Sequence, residues 1–179
     1  MIDDPDHALL ERYLRGDAHA FRDLVVRYQR PVYNAAFGVL RHADDARDVA
    51  QTVFLRVAER AGEFDGKHRV FSWIYRIAVN ESLNVLRRSG REEALGEEDD
   101  LPDEARIDPQ RHAEDGERAR RVHEAMTRLP VADRTVLTLR HFAELSYAQI
   151  AAVLELDEKT VKSRLYEARQ RLKALLPDL

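Results

Sequence analysis

Lys159, Lys162, Ser163, Tyr166, Glu167 and Gln170 follow one another at steps of three and one, a spacing that sets them on one side of a helix turning about 100° per residue. Ammonium, hydroxyl, phenol, carboxylate and amide groups aligned in this way can hydrogen-bond to base edges. Arg164, Arg169 and Arg171 fall on the flanks of the same helix, where guanidinium groups hold phosphates and add salt-dependent affinity without reading sequence. A DNA major groove, about 12 Å wide, admits one helix, whose N-terminal turns meet the bases. A charged helix face is more often merely solvated. Here two capped helices and an unbroken polar face coincide, which favours DNA.

A second constellation lies in Phe64–Arg88 (FDGKHRVFSWIYRIAVNESLNVLRR). Phe64, Phe71, Trp73 and Tyr75 interleave with Lys67, His68, Arg69 and Arg76. Such a mixture suits an unpaired strand, because a base stacked on a ring gains about 1–3 kcal/mol while the cations follow the backbone. It suits an ordinary core as well: Phe71, Ile74 and Ala78 share one apolar stripe, so most of the aromatic surface reads as packing. The core reading leaves a second stripe unexplained. Arg76, Asn80, Asn84 and Arg87, spaced four, four and three, put amides and guanidinium groups on one face, able to contact bases and phosphates together.

The elements that must position these groups are helices. Ser146 caps one whose Gln149 can return the bond, a capping box opening the apolar set Ile150, Ala151, Val153 and Leu154. Asp157 caps the next, with Val161, Leu165, Ala168, Leu172 and Leu175 as its buried stripe. Two short helices joined by a tight turn form a helix-turn-helix. Nearer the start, Asp17 caps a helix bearing Phe21, Leu24, Val25 and Tyr28. Pro31 is predicted to break or kink it before Val32, Ala35, Ala36 and Val39 resume the pattern. A further helix begins near Asp44 or Asp45, with Ala46, Val49, Ala50, Val53, Phe54, Val57 and Ala58 inward. Leu55 then points outward among Asp44, Asp48, Gln51 and Thr52. One exposed leucine is ordinary; the rarer reading is a docking face for a helix of another protein.

The 179 residues carry a net charge of −4, which is unexpected for a nucleic-acid protein until the charge is mapped. Residues 89–117 hold twelve acidic and three basic side chains, so the net −4 divides into −9 there and +5 elsewhere. That segment also contains glycines and prolines, few apolar residues and no periodicity, so burial cannot offset its ordering entropy. The expected fold is therefore all-α, with two small helical domains, an N-terminal bundle over 1–88 and a helix-turn-helix domain over 118–179, joined by a flexible acidic linker over 89–117. There is no cysteine, which excludes a disulfide framework and thiolate metal sites. No apolar run approaches the roughly 18 residues of a membrane span, so the expected location is cytoplasmic. No phosphate-cradling glycine loop, nucleophile elbow or His-Glu-x-x-His motif occurs, and the seven histidines lack ligand spacing. The chain reads as a non-enzyme with no cofactor, no metal and no small-molecule substrate. A stand-alone helix-turn-helix repressor or activator, whose N-terminal bundle dimerises or senses a ligand, fits the same pattern and would bind a palindromic duplex unaided.

Three segments in order, ADDARDVAQTVFLRV at Ala43–Val57, FSWIYRIAVNESLNVLRR at Phe71–Arg88 and the run from Leu129 through LRHFAELSYAQIA to TVKSRLYEARQRL, resemble an extracytoplasmic-function sigma factor, the small two-domain class of the sigma-70 family. The resemblance covers both folded units, with the acidic linker between them. It implies a subunit that directs core RNA polymerase to promoters and assists their opening. By position it implies that Asp44, Asp48, Gln51, Phe54 and Leu55 contact core polymerase. Phe64, Lys67, His68, Arg69, Trp73, Arg76, Asn80, Asn84 and Arg87 would serve the downstream promoter element and the melted strand. Lys159, Thr160, Lys162, Ser163, Arg164, Tyr166, Glu167, Arg169 and Arg171 would serve the upstream element as duplex. Implied partners are core RNA polymerase, promoter DNA as duplex and melted single strand, and an anti-sigma factor. Some 30 extended residues reach at most roughly 100 Å, enough to span two elements a couple of duplex turns, about 70 Å, apart. With no further domain after Leu179, regulation from within the chain is not expected.

Overall fold

The computed structural model describes residues 4–90 and 112–176. These residues form eight α-helices and no strand. In order they are α1 (Pro5–Leu14), α2 (Ala18–Leu40), α3 (Ala43–Arg60), α4 (Val70–Ser89), α5 (His112–Thr127), α6 (Val131–His141), α7 (Tyr147–Leu154) and α8 (Glu158–Leu175), with one 3-10 turn, Ala61–Glu63, after α3. Most of the acidic linker expected over 89–117 lies outside the described residues. At its edges, Ser89 ends α4, Gly90 caps that helix at φ 67°, and α5 already begins at His112.

Helices α1 to α4 enclose one core. Leu10, Leu24, Val32, Val39, Val49, Val53, Val57, Val70, Ile74, Ala78 and Leu86 are all buried within it. Helix α1 was not legible from periodicity, yet its start is well specified: Asp4 accepts from Asp6 N–H, and Pro5 opens the first turn. The other carboxylate oxygen of Asp4 accepts from Val70 N–H at 2.7 Å. One side chain therefore caps both α1 and α4. The buried carboxylate of Asp6 accepts from Arg27 and from the Tyr28 hydroxyl, and with burial this holds the phenol far above its ordinary range.

One sequence expectation needs correction here. Helix α2 does not end at Pro31; it runs through to Leu40. Proline removes one N–H from the ladder and costs about 3 kcal/mol. However, Ala20, Leu24, Tyr28, Val32, Ala35, Ala36 and Val39 make one continuous buried stripe on both sides of it, and that packing outweighs the loss. Helix α3 begins at Ala43, next to Asp44 and Asp45 as expected, and His42 caps it: His42 Nδ1 accepts from Asp45 N–H at 3.2 Å.

Helices α5 to α8 form the second bundle. The capping box is present as expected, with Gln149 N–H donating to Ser146 Oγ at 3.2 Å and Ser146 N–H to Gln149 Oε1 at 2.7 Å. Asp157 caps α8 through Thr160 N–H at 2.7 Å. Glu155, at φ 55°, makes the tight turn between α7 and α8. Val161, Leu165 and Ala168 are buried against Val136, Leu139, Leu145, Ile150 and Val153.

The two bundles pack on each other. Helix α6 lies between α8 and α2, and α7 between α8 and α4. Every residue from Asp133 to Leu139 is buried, including Arg134, Thr135 and Thr138, because both faces of α6 are covered. Ala35, Tyr75 and Val79 of the first bundle belong to the apolar cluster of the second. Arg134 Nε donates to the Val39 carbonyl at 2.7 Å, satisfying one of the acceptors that the end of α2 leaves without an intrahelical partner.

Candidate nucleic-acid interface

Helix α8 presents Lys159, Lys162, Ser163, Tyr166, Glu167 and Gln170 to solvent, Tyr166 with 66% of its surface free. The face expected from spacing is therefore intact and open. The cap explains its stability: the Thr160 N–H donates to Asp157 Oδ1 at 2.7 Å, and its hydroxyl to Oδ2 at 2.8 Å. Those bonds hold the Asp157 carboxyl below its usual range. Thr160 is thus engaged in holding the helix start. Tyr147, which sequence reasoning missed, supports this face from α7. Lys162 Nζ lies 5.9 Å and the Arg140 guanidinium 5.3 Å from its ring centroid, an arrangement in which the ring quadrupole attracts both cations. The signal in the sequence was only an aromatic residue directly after the Ser146 cap.

The flanking arginines divide. Arg164 is half-buried at the edge of the face. Arg169 approaches His141 Nε2 at 3.4 Å; burial first, then the charges of Arg169 and Arg140, lower the pKa of that imidazole. Arg171 pairs with the buried carboxylate of Asp133 on α6 and reaches Glu167 on its own helix. It fastens α8 to α6, so it is not a free phosphate anchor.

On the first bundle, Phe64, Lys67, His68, Trp73 and Arg76 converge on one cleft of about 760 Å³. Phe64 and Trp73 rings pack 5.4 Å apart, with His7 edge-on to Phe64 at 5.5 Å. Both larger rings are half-buried against the core, so each offers one edge to the cleft. The loop between them turns at Gly66, φ 67°. Asp65 accepts from Lys67 N–H at 3.0 Å and pairs with its ammonium at 3.1 Å, which lowers the Asp65 pKa, the backbone bond counting most. Arg69 is exposed at the start of α4, and Asn80, Asn84 and Arg87 continue along α4 away from the cleft. Asn80 is exposed; Asn84 Oδ1 accepts from Arg87 at 2.9 Å.

The far wall of the cleft comes from the other bundle, through Ala148, Ala151, Ala152, Glu155, Leu156 and Glu158. Arg76 crosses to it, donating to Glu155 Oε1 at 2.9 Å and to the Ala152 carbonyl at 2.6 Å. A cluster of rings and cations can stack bases and neutralise phosphates; its opposite wall carries two acids.

On α3, Asp44, Asp48, Gln51 and Leu55 form one exposed face, with Leu55 65% free. Phe54 is half-buried and packed against the first core, at the border of that face.

Models of two families match the chain: sigma-70 region 2 over residues 24–92 and sigma-70, region 4 over residues 119–172. The RNA polymerase sigma-H factor of Pseudomonas aeruginosa is 36% identical over 99% of this chain and 97% of its own length. The ECF RNA polymerase sigma-E factor of Haemophilus influenzae is 34% identical over 93% of each. Among solved structures, CnrH in complex with the cytosolic domain of CnrY superposes with a TM-score of 0.72 at 25% identity, covering 97% of this chain and 98% of that one. The sigma factor RpoE in complex with the anti-sigma factor NepR from Bartonella quintana superposes at 0.67 with 22% identity, covering 88% and 97%.

Proposed function

Since this chain belongs to the extracytoplasmic-function class of the sigma-70 family and directs core RNA polymerase to promoters, we propose how its surfaces divide that work. Matches over both bundles set aside the stand-alone regulator that the sequence also allowed. Residues 1–88 bind polymerase and open the downstream element, and residues 118–179 read the upstream element. The α3 face bearing Asp44, Asp48, Gln51 and Leu55 docks on core polymerase, with Phe54 at its edge. The exposed face of α8 reads the upstream element in the major groove. The cleft of Phe64, Lys67, His68, Trp73 and Arg76, with Arg69, Asn80, Asn84 and Arg87 along α4, takes the melted downstream strand.

The observation that carries this division is the convergence of rings and cations on one cleft while the polar face of α8 stays open. Opening needs no bond chemistry. A cleft that accepts an unstacked base, and has nothing to offer a paired one, stabilises the open promoter by its preference for open over closed DNA. The chain acts as an initiation factor, with the polymerase supplying catalysis. By analogy with CnrH and RpoE, whose structures contain CnrY and NepR, an anti-sigma factor is its natural antagonist. No helix among the described residues is long and apolar enough to cross a membrane; we assign the chain to the cytoplasm, where polymerase works.

Transcription with core polymerase on genomic promoter templates tests the assignment. Lys162→Ala or Tyr166→Ala should lower initiation by about ten- to a hundredfold on templates whose upstream element is matched, and little where that element is scrambled, since a base contact contributes about 1–3 kcal/mol of discrimination. An equal loss on both templates would remove α8 from sequence reading. Asn80→Ala should impair duplex templates more than pre-melted ones, and comparable damage to both would take Asn80 out of the opening step.

A further inference from the structure

Hydrogen-bond chemistry narrows what the open face of α8 can read. Lys159, Ser163 and Glu167 form one row of that face at steps of four, and Lys162, Tyr166 and Gln170 form the other. An ammonium group only donates, so Lys159 and Lys162 suit the O6 and N7 acceptors of guanine. Glu167 is opposite in character, since a carboxylate only accepts. We propose that Glu167 selects cytosine in the upstream element, held for that contact by Arg171, which is itself fastened to the buried Asp133; this rests on the assignment of the α8 face to upstream reading given above.

Two bases offer a carboxylate a donor in the major groove, cytosine through its N4 amino group and adenine through N6. The adenine amino group lies between two acceptors, N7 of its own ring and O4 of the paired thymine. Cytosine N4 has an acceptor, guanine O6, on one side and only a C–H edge on the other. A carboxylate bonded to N4 can turn its second oxygen toward that edge without repulsion, whereas at N6 it meets a lone pair on either side. Guanine and thymine present acceptors instead. Against them the carboxylate loses hydration beside the phosphates and gains no donor in return. Glu167 discriminates by what it penalises as much as by what it bonds.

The surroundings of Glu167 hold an acceptor in place. The other acid of α8, Glu158, is accounted for by its position: it sits in the first turn, where the helix dipole favours negative charge, and lies 3.9 Å from Lys162. Glu167 is mid-helix, beyond the reach of that dipole. Arg171 Nη2 lies 3.6 Å from Glu167 Oε2, and Arg171 Nη1 is bonded to Asp133 of α6. Asp133 is buried. A guanidinium is a rigid planar fork, so anchoring one arm in the interior fixes the other, and with it one oxygen of Glu167. Oε1 is the oxygen left for a base. An exposed pair at this spacing adds little stability by itself. Here it holds a rotamer-rich side chain where it must read, which lowers the ordering cost of binding.

The test is transcription by core polymerase and the full chain on barcoded templates that keep the downstream element of a genomic promoter and are randomised across the upstream one. Transcript counts then give the base preference at each position. The unaltered chain is expected to favour cytosine at one position by about tenfold to a hundredfold. Glu167→Gln, whose amide pairs with adenine N6 and N7, should move that preference to adenine, and Glu167→Arg should move it to guanine, with the other positions unchanged. Glutamine and arginine suit a helix as well as glutamate does, and Glu167 is exposed, so both variants fold. Arg171→Lys keeps the charge and loses the fork; it should cut the cytosine preference about threefold to tenfold at that position alone. A uniform gain on all templates in Glu167→Gln would mean that the carboxylate only repels DNA, and an unchanged profile in both Glu167 variants that it meets no base; either overturns the proposal. A uniform loss in Arg171→Lys refutes the positioning role of Arg171. Lys162→Ala and Tyr166→Ala in the same library keep the two readings apart. If they reshape the profile and the Glu167 variants do not, only the cytosine assignment fails; if no α8 variant reshapes it, upstream reading by α8 fails as well.

Discussion

A Leu55→Asp chain is expected to lose core RNA polymerase almost completely while unfolding at the wild-type temperature. Leu55 is 65% exposed, and α3 is held from its other side by Val49, Val53 and Val57, so the folded chain barely registers the change. Burying a leucine in a complex contributes about 1.5–3 kcal/mol, about tenfold to a hundredfold or more in affinity. The substituted carboxylate adds a desolvation cost on top. Fluorescence anisotropy of labelled chain titrated with core enzyme measures the loss, and binding within a factor of two of wild type would move the docking face off α3.

Leu165→Ala carries the largest expected effect on stability. Leu165 is 1% exposed and ties α8 to α6 and α7 through Val136, Ile150 and Val153. Removing its branched end leaves a cavity costing about 2–5 kcal/mol, a large share of the 5–15 kcal/mol that holds a small domain. Trp73, the single tryptophan, lies in the first bundle and separates the signals. In urea, the circular dichroism of the variant should begin to fall at lower denaturant than its tryptophan fluorescence. Coincident transitions, unmoved from wild type, would mean that the second bundle does not depend on this contact.

What the sequence made legible was local. The Ser146 and Asp157 caps, the apolar stripe of α8 and its exposed polar face all depend on residues within a turn or two of each other. Features decided by distant contacts were not legible. Pro31 reads as a break because its penalty is local, whereas the packing that overrides it runs the whole length of α2. Arg171 reads as a flank cation, but Asp133, far away in the sequence, takes it. Nothing in local spacing marks Arg134, Thr135 and Thr138 of α6 as buried, yet all three are. Among the site residues, Phe64, Lys67, His68, Trp73 and Arg76 do share one cleft. That its opposite wall comes from the other bundle was invisible, because no spacing rule links α4 to α7.

Asp4, whose carboxylate starts both α1 and α4, gives the first few residues unusual leverage. A fusion tag crowding that corner, or a protease nick just beyond it, would loosen the leading turn of the helix that carries Trp73, Arg76 and Asn80. Affinity handles therefore belong at the other terminus, and a preparation trimmed at its front would misreport how well the factor melts DNA.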